Sequence, residues 1–585
     1  MADELHYGPT LPVSEWIHGL KYRGQGETFK EAMSRIANSL KDDENHYHAF
    51  RNILLDMKFL PAGRIQAAMG SPKQVTPYNC FVSKTIPDSM DGIMDTAKEA
   101  ATTMRLGGGI GYDFSTLRPS GDLIKSLDSK SSGPVSFMQI FDAVCNTIRS
   151  AGHRRGAQMG VLRVDHPDIL EFVEAKANSN NLTQFNISVG ITDAFMKAVI
   201  DDTVFDLIYA GRVYRTIRAV PLWEKILRHT WDWAEPGVLF IDTINKKNNL
   251  HYCEKIAATN PCGEQPLPPY GACLLGSFNL TKYIDYTATD QEVFFDYGAF
   301  VQDIPVVVRA MDNVVDRAIY PLTEQEMEAK NKRRMGLGVT GVANAIEAMG
   351  HSYGSEGYIK AQNYILSTLR DEAYITSIVL AKEKGAFPLF DARFLRSKFA
   401  KTLPPHIKEA IRENGIRNSH LLSIAPTGTI SLSADNISSG IEPVYDYTGN
   451  RIIQTFDGPL TETYEDYGYR VFGVKGRTAA RDVTAEEHVN VLIAASKFVD
   501  SACSKTCNVS DNVSWEEFKD IYMKAYLGGA SGCTTFRAAG KRYGILTSSA
   551  AEDVAVEPVV EDTFIDEKEG GACYFDPTTG QRTCE

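Results

Sequence analysis

The sequence predicts an α/β protein: a mainly parallel sheet or an α/β barrel with helices packed around it. Three observations carry this. Short apolar runs of strand character at residues 185–190, 238–241, 335–339 and 421–425 alternate with longer helical stretches at 223–233, 297–320 and 359–384. The 585 residues exceed what one simple core can organise, so the chain builds either a large barrel or several domains. No segment recurs at a fixed period, which sets solenoids and propellers aside.

Taken in order, Thr28 and Glu31 have capping-box spacing and open an amphipathic helix to about Asp42, followed by a helical stretch through Phe59. Residues 1–58 therefore form a small helical region, too short to hold a regulatory nucleotide domain as well. The main α/β domain is assigned to 59–544. In it, a turn-rich passage leads to Tyr78-Asn79-Cys80-Phe81-Val82, whose apolar residues give Cys80, taken alone, the character of a core thiol. Asp88 is placed to cap a helix that runs to about Leu106 and stops at Gly107, Gly108 and Gly109. Those glycines lie between a helix and a following strand at 110–114, the reverse of a dinucleotide fingerprint, and no Walker-type motif occurs.

Residues 117–135, with Arg118 near their start, read as a long loop, and long loops inside compact domains usually serve function. After a helix at 135–150, Arg154 and Arg155 stand together between Gly152 and Gly156, as a solvated turn or an anion-binding loop. Pro426, Thr427, Gly428, Thr429, Ile430 and Ser431 follow a strand; small and hydroxylated residues there let a phosphate approach backbone N–H groups, with a simple turn as the alternative. Helices at 484–499 and 515–527 precede Cys533-Thr534-Thr535-Phe536. Residues 545–585 read as a flexible tail: eight acidic residues and one lysine fall between 552 and 569, and Cys573 and Cys584 lie near the end. A freely coiled tether of about 28 residues spans roughly 30 Å, enough to return that pair to the body.

The stretch from Asn260 to Cys273 organises the rest. Pro261, Pro266, Pro268 and Pro269 with Gly263 and Gly271 forbid helix and disfavour a central strand, so an irregular loop is expected. It carries Asn260, Cys262, Glu264 and Cys273, four chemically able side chains on one rigid segment.

A net charge of -13 argues against a nucleic-acid polymer as main partner. No signal-peptide pattern and no run of eighteen apolar residues occurs, so a cytoplasmic protein without a membrane partner is expected. Ten cysteines without a CxxC pair or clustered histidines point to free, catalytic or redox-active thiols and predict no metal site. An internal pair that becomes oxidised and a tail pair that re-reduces it would fit thiol–disulfide exchange.

The motifs Asn260-Pro261-Cys262-Gly263-Glu264, 273–280, Tyr78-Asn79-Cys80-Phe81, Arg154-Arg155-Gly156-Ala157, 425–431 and 438–443, with the tail cysteines, together resemble the catalytic subunit of the ribonucleotide reductase family over nearly the whole chain. The resemblance implies a ten-stranded α/β barrel of two five-stranded halves, with a central finger loop carrying Cys262. It implies that Cys262 becomes a thiyl radical taking the 3′ hydrogen of the ribose, that Glu264 is the base on the 3′ hydroxyl, and that Asn260 holds substrate hydroxyls. Cys80 and Cys273 would supply reducing equivalents and finish as a disulfide, Cys80 protonating the departing 2′ hydroxyl; Cys573 and Cys584 would regenerate them with a thioredoxin- or glutaredoxin-like reductant.

By the same resemblance, residues 426–431 bind the phosphates of a ribonucleoside di- or triphosphate. Asp88 and Arg118, with the loop carrying Arg154 and Arg155, serve a deoxynucleoside triphosphate effector at a homodimer interface. Thr534-Thr535-Phe536 stands where relatives driven by a separate metal-containing radical subunit have adjacent tyrosines, and phenylalanine has no hydroxyl to relay a proton and electron. Adenosylcobalamin is therefore the expected radical source, although no Asp-x-His-x-x-Gly element names a cobalt ligand. The alternatives are the same reaction with a separate radical subunit, a catalytically silent nucleotide-binding homologue, and a plain thiol–disulfide oxidoreductase.

Overall fold

Ten strands join in one sheet in the computed structural model, which describes residues 7–537, apart from 125–127, 151–153, 156, 178–180, 287–292, 456–457 and 480–481, together with 574–576 and 581–583. Cys80–Val82, Gly109–Asp113, Gln158–Arg163, Phe185–Ile191 and Gly237–Phe240 run parallel in that order. Ala272–Asn279 pairs in parallel with Met335–Thr340, and Thr506–Val509 with Gly532–Arg537. Antiparallel seams join these pairs to the five: Ala272–Asn279 meets Cys80–Val82, and Gly532–Arg537 meets Gly237–Phe240. Phe59–Pro61 adds an antiparallel partner farther along Ala272–Asn279.

Phe185–Ile191, Ala272–Asn279 and Met335–Thr340 are buried at every position. Strands covered on both faces need no polar alternation, so they read as continuous apolar runs. The outer layer is helical, and the expected helices form as Ala219–Trp233, Tyr297–Arg317, Glu356–Lys384, Ala485–Ser496 and Trp515–Leu527. The first capping box is present: Glu31 N donates to Thr28 Oγ1 at 3.3 Å and Thr28 N to Glu31 Oε2 at 2.9 Å, opening Phe29–Leu40.

Several expectations are corrected. The run at 421–425 forms only isolated bridges, Leu337 to Leu422 and Ile424 to Cys503. Its Leu421 and Leu422 amides instead donate to the buried Asp500 carboxylate, at 2.9 Å each, which removes the donors of a regular ladder. Ser89, not Asp88, caps Met90–Arg105, because the Asp88 carboxylate is engaged by Arg118. Cys273 lies on a central strand rather than a loop, since the proline-rich irregularity ends before Ala272. The helix expected at 135–150 is Gly133–Thr147, and a first helix, Pro12–Tyr22, went unread. In the tail, Tyr574–Asp576 and Gln581–Thr583 form an antiparallel pair, while Cys573 and Cys584 lie outside the described residues.

Candidate active site

Ala258–Thr259 and Pro266–Leu267 pair as a hairpin whose tip is residues 260–265. Gly263 sits at φ +83°, a conformation that costs glycine nothing. Asn260 closes the tip: its Oδ1 accepts from Gln265 N at 2.9 Å and its carbonyl from Gly263 N at 3.1 Å.

The hairpin is gripped from both parts of the sheet. On one side Asn186 Nδ2 donates to Pro261 O at 3.1 Å, and a Cβ on Gly111 would stand 1.8 Å from Thr259 O. On the other, Ala502 N donates to Glu264 O at 3.1 Å and Ser423 Oγ to the same oxygen at 2.9 Å. A Cβ on Gly336 would lie 2.5 Å from Gln265 Nε2, so these glycines clear the hairpin's path.

Cys80 and Cys273 are direct cross-strand partners. Opposed residues of an antiparallel pair have Cα atoms about 4.5–5.5 Å apart, inside the range a disulfide spans. Both thiols are buried. Asn260 Nδ2 donates to Cys80 Sγ at 3.2 Å, and the Cys80 thiol donates to Glu264 Oε1 at 3.7 Å. Burial pushes the Glu264 carboxyl up to about 7. Its Oε2 is buried and accepts no hydrogen bond from the described residues. Burial also raises both thiols, with Glu264 adding to the effect on Cys80 and Arg334 opposing it on Cys273. Near pH 7 these are neutral S–H donors beside a carboxyl poised to gain or lose a proton.

Cys262, at the hairpin tip, is only partly buried. It opens on a recess whose walls include Ser188, Leu239, Ser504, Cys533 and Thr534. The structure thus brings Asn260, Cys262, Glu264, Cys80 and Cys273 onto one hairpin and the seam beside it.

At residues 426–431, Thr427 adopts a left-handed conformation, φ +56°, and caps the short helix Gly428–Leu432. Its hydroxyl does not face outward. Thr427 Oγ1 and Ser431 Oγ lie 2.9 and 2.8 Å from Thr340 Oγ1, and Gly440 N donates to Thr427 Oγ1 at 2.7 Å. The hydroxyls therefore shape the loop.

Asp88 accepts from Arg118 Nε at 2.8 Å and Arg118 N at 3.1 Å, and the Tyr209 hydroxyl lies 3.3 Å from it. Arg154–Arg155 pairs with Arg149–Ser150 as a short antiparallel ladder. Sequence reasoning missed Thr340, Ser423, Gln265 and Tyr209. The glycines of Gly336-Leu337-Gly338 were the available signal for the first three, marking where another segment crosses the strand. Among the described residues, no group of three or more potential ligands could hold a metal ion, and no helix is long and apolar enough to cross a membrane.

The comparisons with known proteins bear on this arrangement. The model of the ribonucleotide reductase barrel domain matches residues 78–536. A vitamin B12-dependent ribonucleoside-diphosphate reductase of Mycobacterium tuberculosis is 33% identical over 94% of this chain and 81% of its own length. One from Thermoplasma acidophilum is 32% identical over 90% of this chain and 69% of its own. A vitamin B12-dependent ribonucleotide reductase of Streptomyces coelicolor is 26% identical, covering 88% of this chain and 61% of the relative. The chain belongs to the ribonucleotide reductase family.

Proposed function

We propose that this chain reduces ribonucleotides to 2′-deoxyribonucleotides by thiyl-radical chemistry and depends on adenosylcobalamin. The carrying observation is the cross-strand register of Cys80 and Cys273 beside a hairpin bearing Asn260, Cys262 and Glu264. In this reading the sheet closes into a barrel of two five-stranded halves. The bridges at Leu422 and Ile424 support it, because they make residues 421–424 the link between Met335–Thr340 and the residues leading into Thr506–Val509.

Bound adenosylcobalamin supplies the one-electron oxidation of a thiol. The partial exposure of Cys262 beside a recess lined in part by Ser188, Ser504 and Thr534 supports this reading, because the sulfur must be reachable by such a group. Since the cofactor carries its own metal, it needs no cluster of protein ligands. The Cys262 radical takes the 3′ hydrogen of the ribose and returns it at the end. Glu264 Oε2, which accepts no hydrogen bond from the described residues, takes the proton of the 3′ hydroxyl, and Cys80 protonates the departing 2′ hydroxyl, which leaves as water. The two electrons that reduce the sugar come from Cys80 and Cys273, whose sulfurs join as a disulfide.

Cys573 and Cys584 would then restore the thiols. Strand Gln581–Thr583 runs beside helix Gly428–Leu432, which supports a tail that reaches the site's mouth. Residues 426–431 would hold the substrate phosphates. Asp88, Arg118, Arg154 and Arg155 would serve the deoxynucleotide effector in a homodimer. The test is deoxynucleotide formation by the purified chain with a ribonucleotide and dithiothreitol, with and without adenosylcobalamin. Product only with the cofactor is expected; product without it would replace cobalamin by another radical source.

A further inference from the structure

The segment after the substrate loop contains a contact the reaction does not explain. Asp435 is 2% exposed and, with Asn436, adopts a left-handed backbone, φ +64° and +56°. Two successive non-glycine residues in that region persist only where their surroundings fix them. Residues 465–470 hold part of this turn, Asn436 Nδ2 donating to Glu465 O at 3.0 Å and Arg470 Nη2 to Asp435 O at 3.3 Å, but the Asp435 carboxylate is held from the other end of the chain. The amides of Thr10 and Leu11 donate to Asp435 Oδ1 at 2.6 and 2.9 Å. Ser14 Oγ donates to Leu432 O at 2.6 Å, and Ile17 packs on Leu432. A strap at residues 10–17 thus grips the back of the segment whose front is set by Thr340, Thr427 and Gly440.

We propose that Asp435 is a positioning residue for substrate phosphates: clamped by the strap amides, it holds residues 426–431 in their binding conformation. The inference rests on the reading of 426–431 as the phosphate site. The carboxylate accepts charge-assisted hydrogen bonds from two backbone donors, which are stronger and more directional than neutral ones. A loop held at one end only would present its amides in several orientations, and the ligand would meet the ordering cost on binding.

The test uses the full chain with adenosylcobalamin. Asp435→Ala should raise KM for the ribonucleotide about tenfold while kcat stays within about twofold. Leu11→Pro deletes one strap donor at a position whose φ of -79° proline accepts, and should raise KM about threefold. The double variant should match Asp435→Ala alone, as both act through one contact. Asp435→Asn, which keeps an acceptor oxygen, should restore most of the affinity. In direct binding, the loss should appear with nucleoside di- and triphosphates and vanish with the unphosphorylated nucleoside.

A lowered melting temperature with unchanged KM in both Asp435→Ala and Leu11→Pro would overturn the proposal. Thr427→Ala tests the underlying reading separately. If it leaves phosphate-dependent affinity intact, 426–431 is not the phosphate site and the proposal falls with it. If it weakens that affinity while the strap variants do not, the strap proposal alone fails.

Discussion

Two pairs of buried thiols sit on neighbouring strands of the same sheet. Cys80 and Cys273 face each other across an antiparallel seam, at one register position. Cys507 and Cys533 lie on adjacent parallel strands, but Cys507 is opposite Thr535, two residues beyond Cys533. Burial raises the Cys80 and Cys273 thiols, and the hydrogen bond with Cys507, then burial, raises Cys533. Burial therefore does not distinguish the pairs; register does. An opposed antiparallel pair lies within disulfide reach, whereas a two-residue offset puts the Cα atoms about 7–8 Å apart, beyond the usual limit. The first pair also has Asn260 and Glu264 within hydrogen-bond distance of a sulfur.

The largest effect that separates the pairs is on turnover. Cys273→Ala should lower it by more than about a thousandfold in a steady-state assay with dithiothreitol, as loss of a unit that acts together does. Cys507→Ala should leave turnover within about threefold and cost about 1 kcal/mol of stability, read from denaturant unfolding. Comparable losses of turnover in both variants would break the distinction.

Glu264 sharpens the comparison through pH. Burial lifts its carboxyl from an ordinary 4.5 to about 7, so the folded chain holds a proton that the unfolded chain has released. Its contribution to stability is full below about pH 4.5 and is lost as pH rises through about 7. Glu264→Gln should therefore stabilise the protein at pH 8 by on the order of 2–3 kcal/mol in chemical denaturation. It should also abolish turnover. In the unmodified enzyme kcat/KM should rise with pH through this range, because the base works as the carboxylate, so activity and stability slope in opposite directions.

The hairpin's grip provides a smaller test. Gly111→Ala forces a methyl group against Thr259 O, where the Cβ would sit 1.8 Å away, and should cost roughly 1–3 kcal/mol by urea unfolding. Gly263→Ala meets no atom within 4 Å and should cost less, about 1 kcal/mol, from its φ of +83° alone.

Much of this arrangement was legible in the sequence because it is local. The capping box at Thr28 and Glu31 and the apolar runs at 185–190 and 335–339 follow from neighbours a few residues away. The chemistry of Asn260, Cys262 and Glu264 was legible because one short segment carries all three. What was not legible depends on contacts far along the chain. The 421–425 run looked like a strand, but Asp500 takes its amides. Asp88 looked like a cap until Arg118 engaged it. Thr427 and Ser431 looked like phosphate donors, yet Thr340, some ninety residues away, turns both inward. The strap on Asp435 crosses 425 residues of sequence, and no local pattern announces it.

The most direct test of the central claim is a single turnover without external reductant, using the full chain with its tail cysteines changed to serine, followed by thiol blocking and mass-spectrometric disulfide mapping. One Cys80–Cys273 disulfide should appear for each deoxynucleotide formed, with Cys507 and Cys533 still reduced. Product formed while Cys80 and Cys273 remain thiols, or a disulfide between Cys507 and Cys533 in their place, would contradict the account.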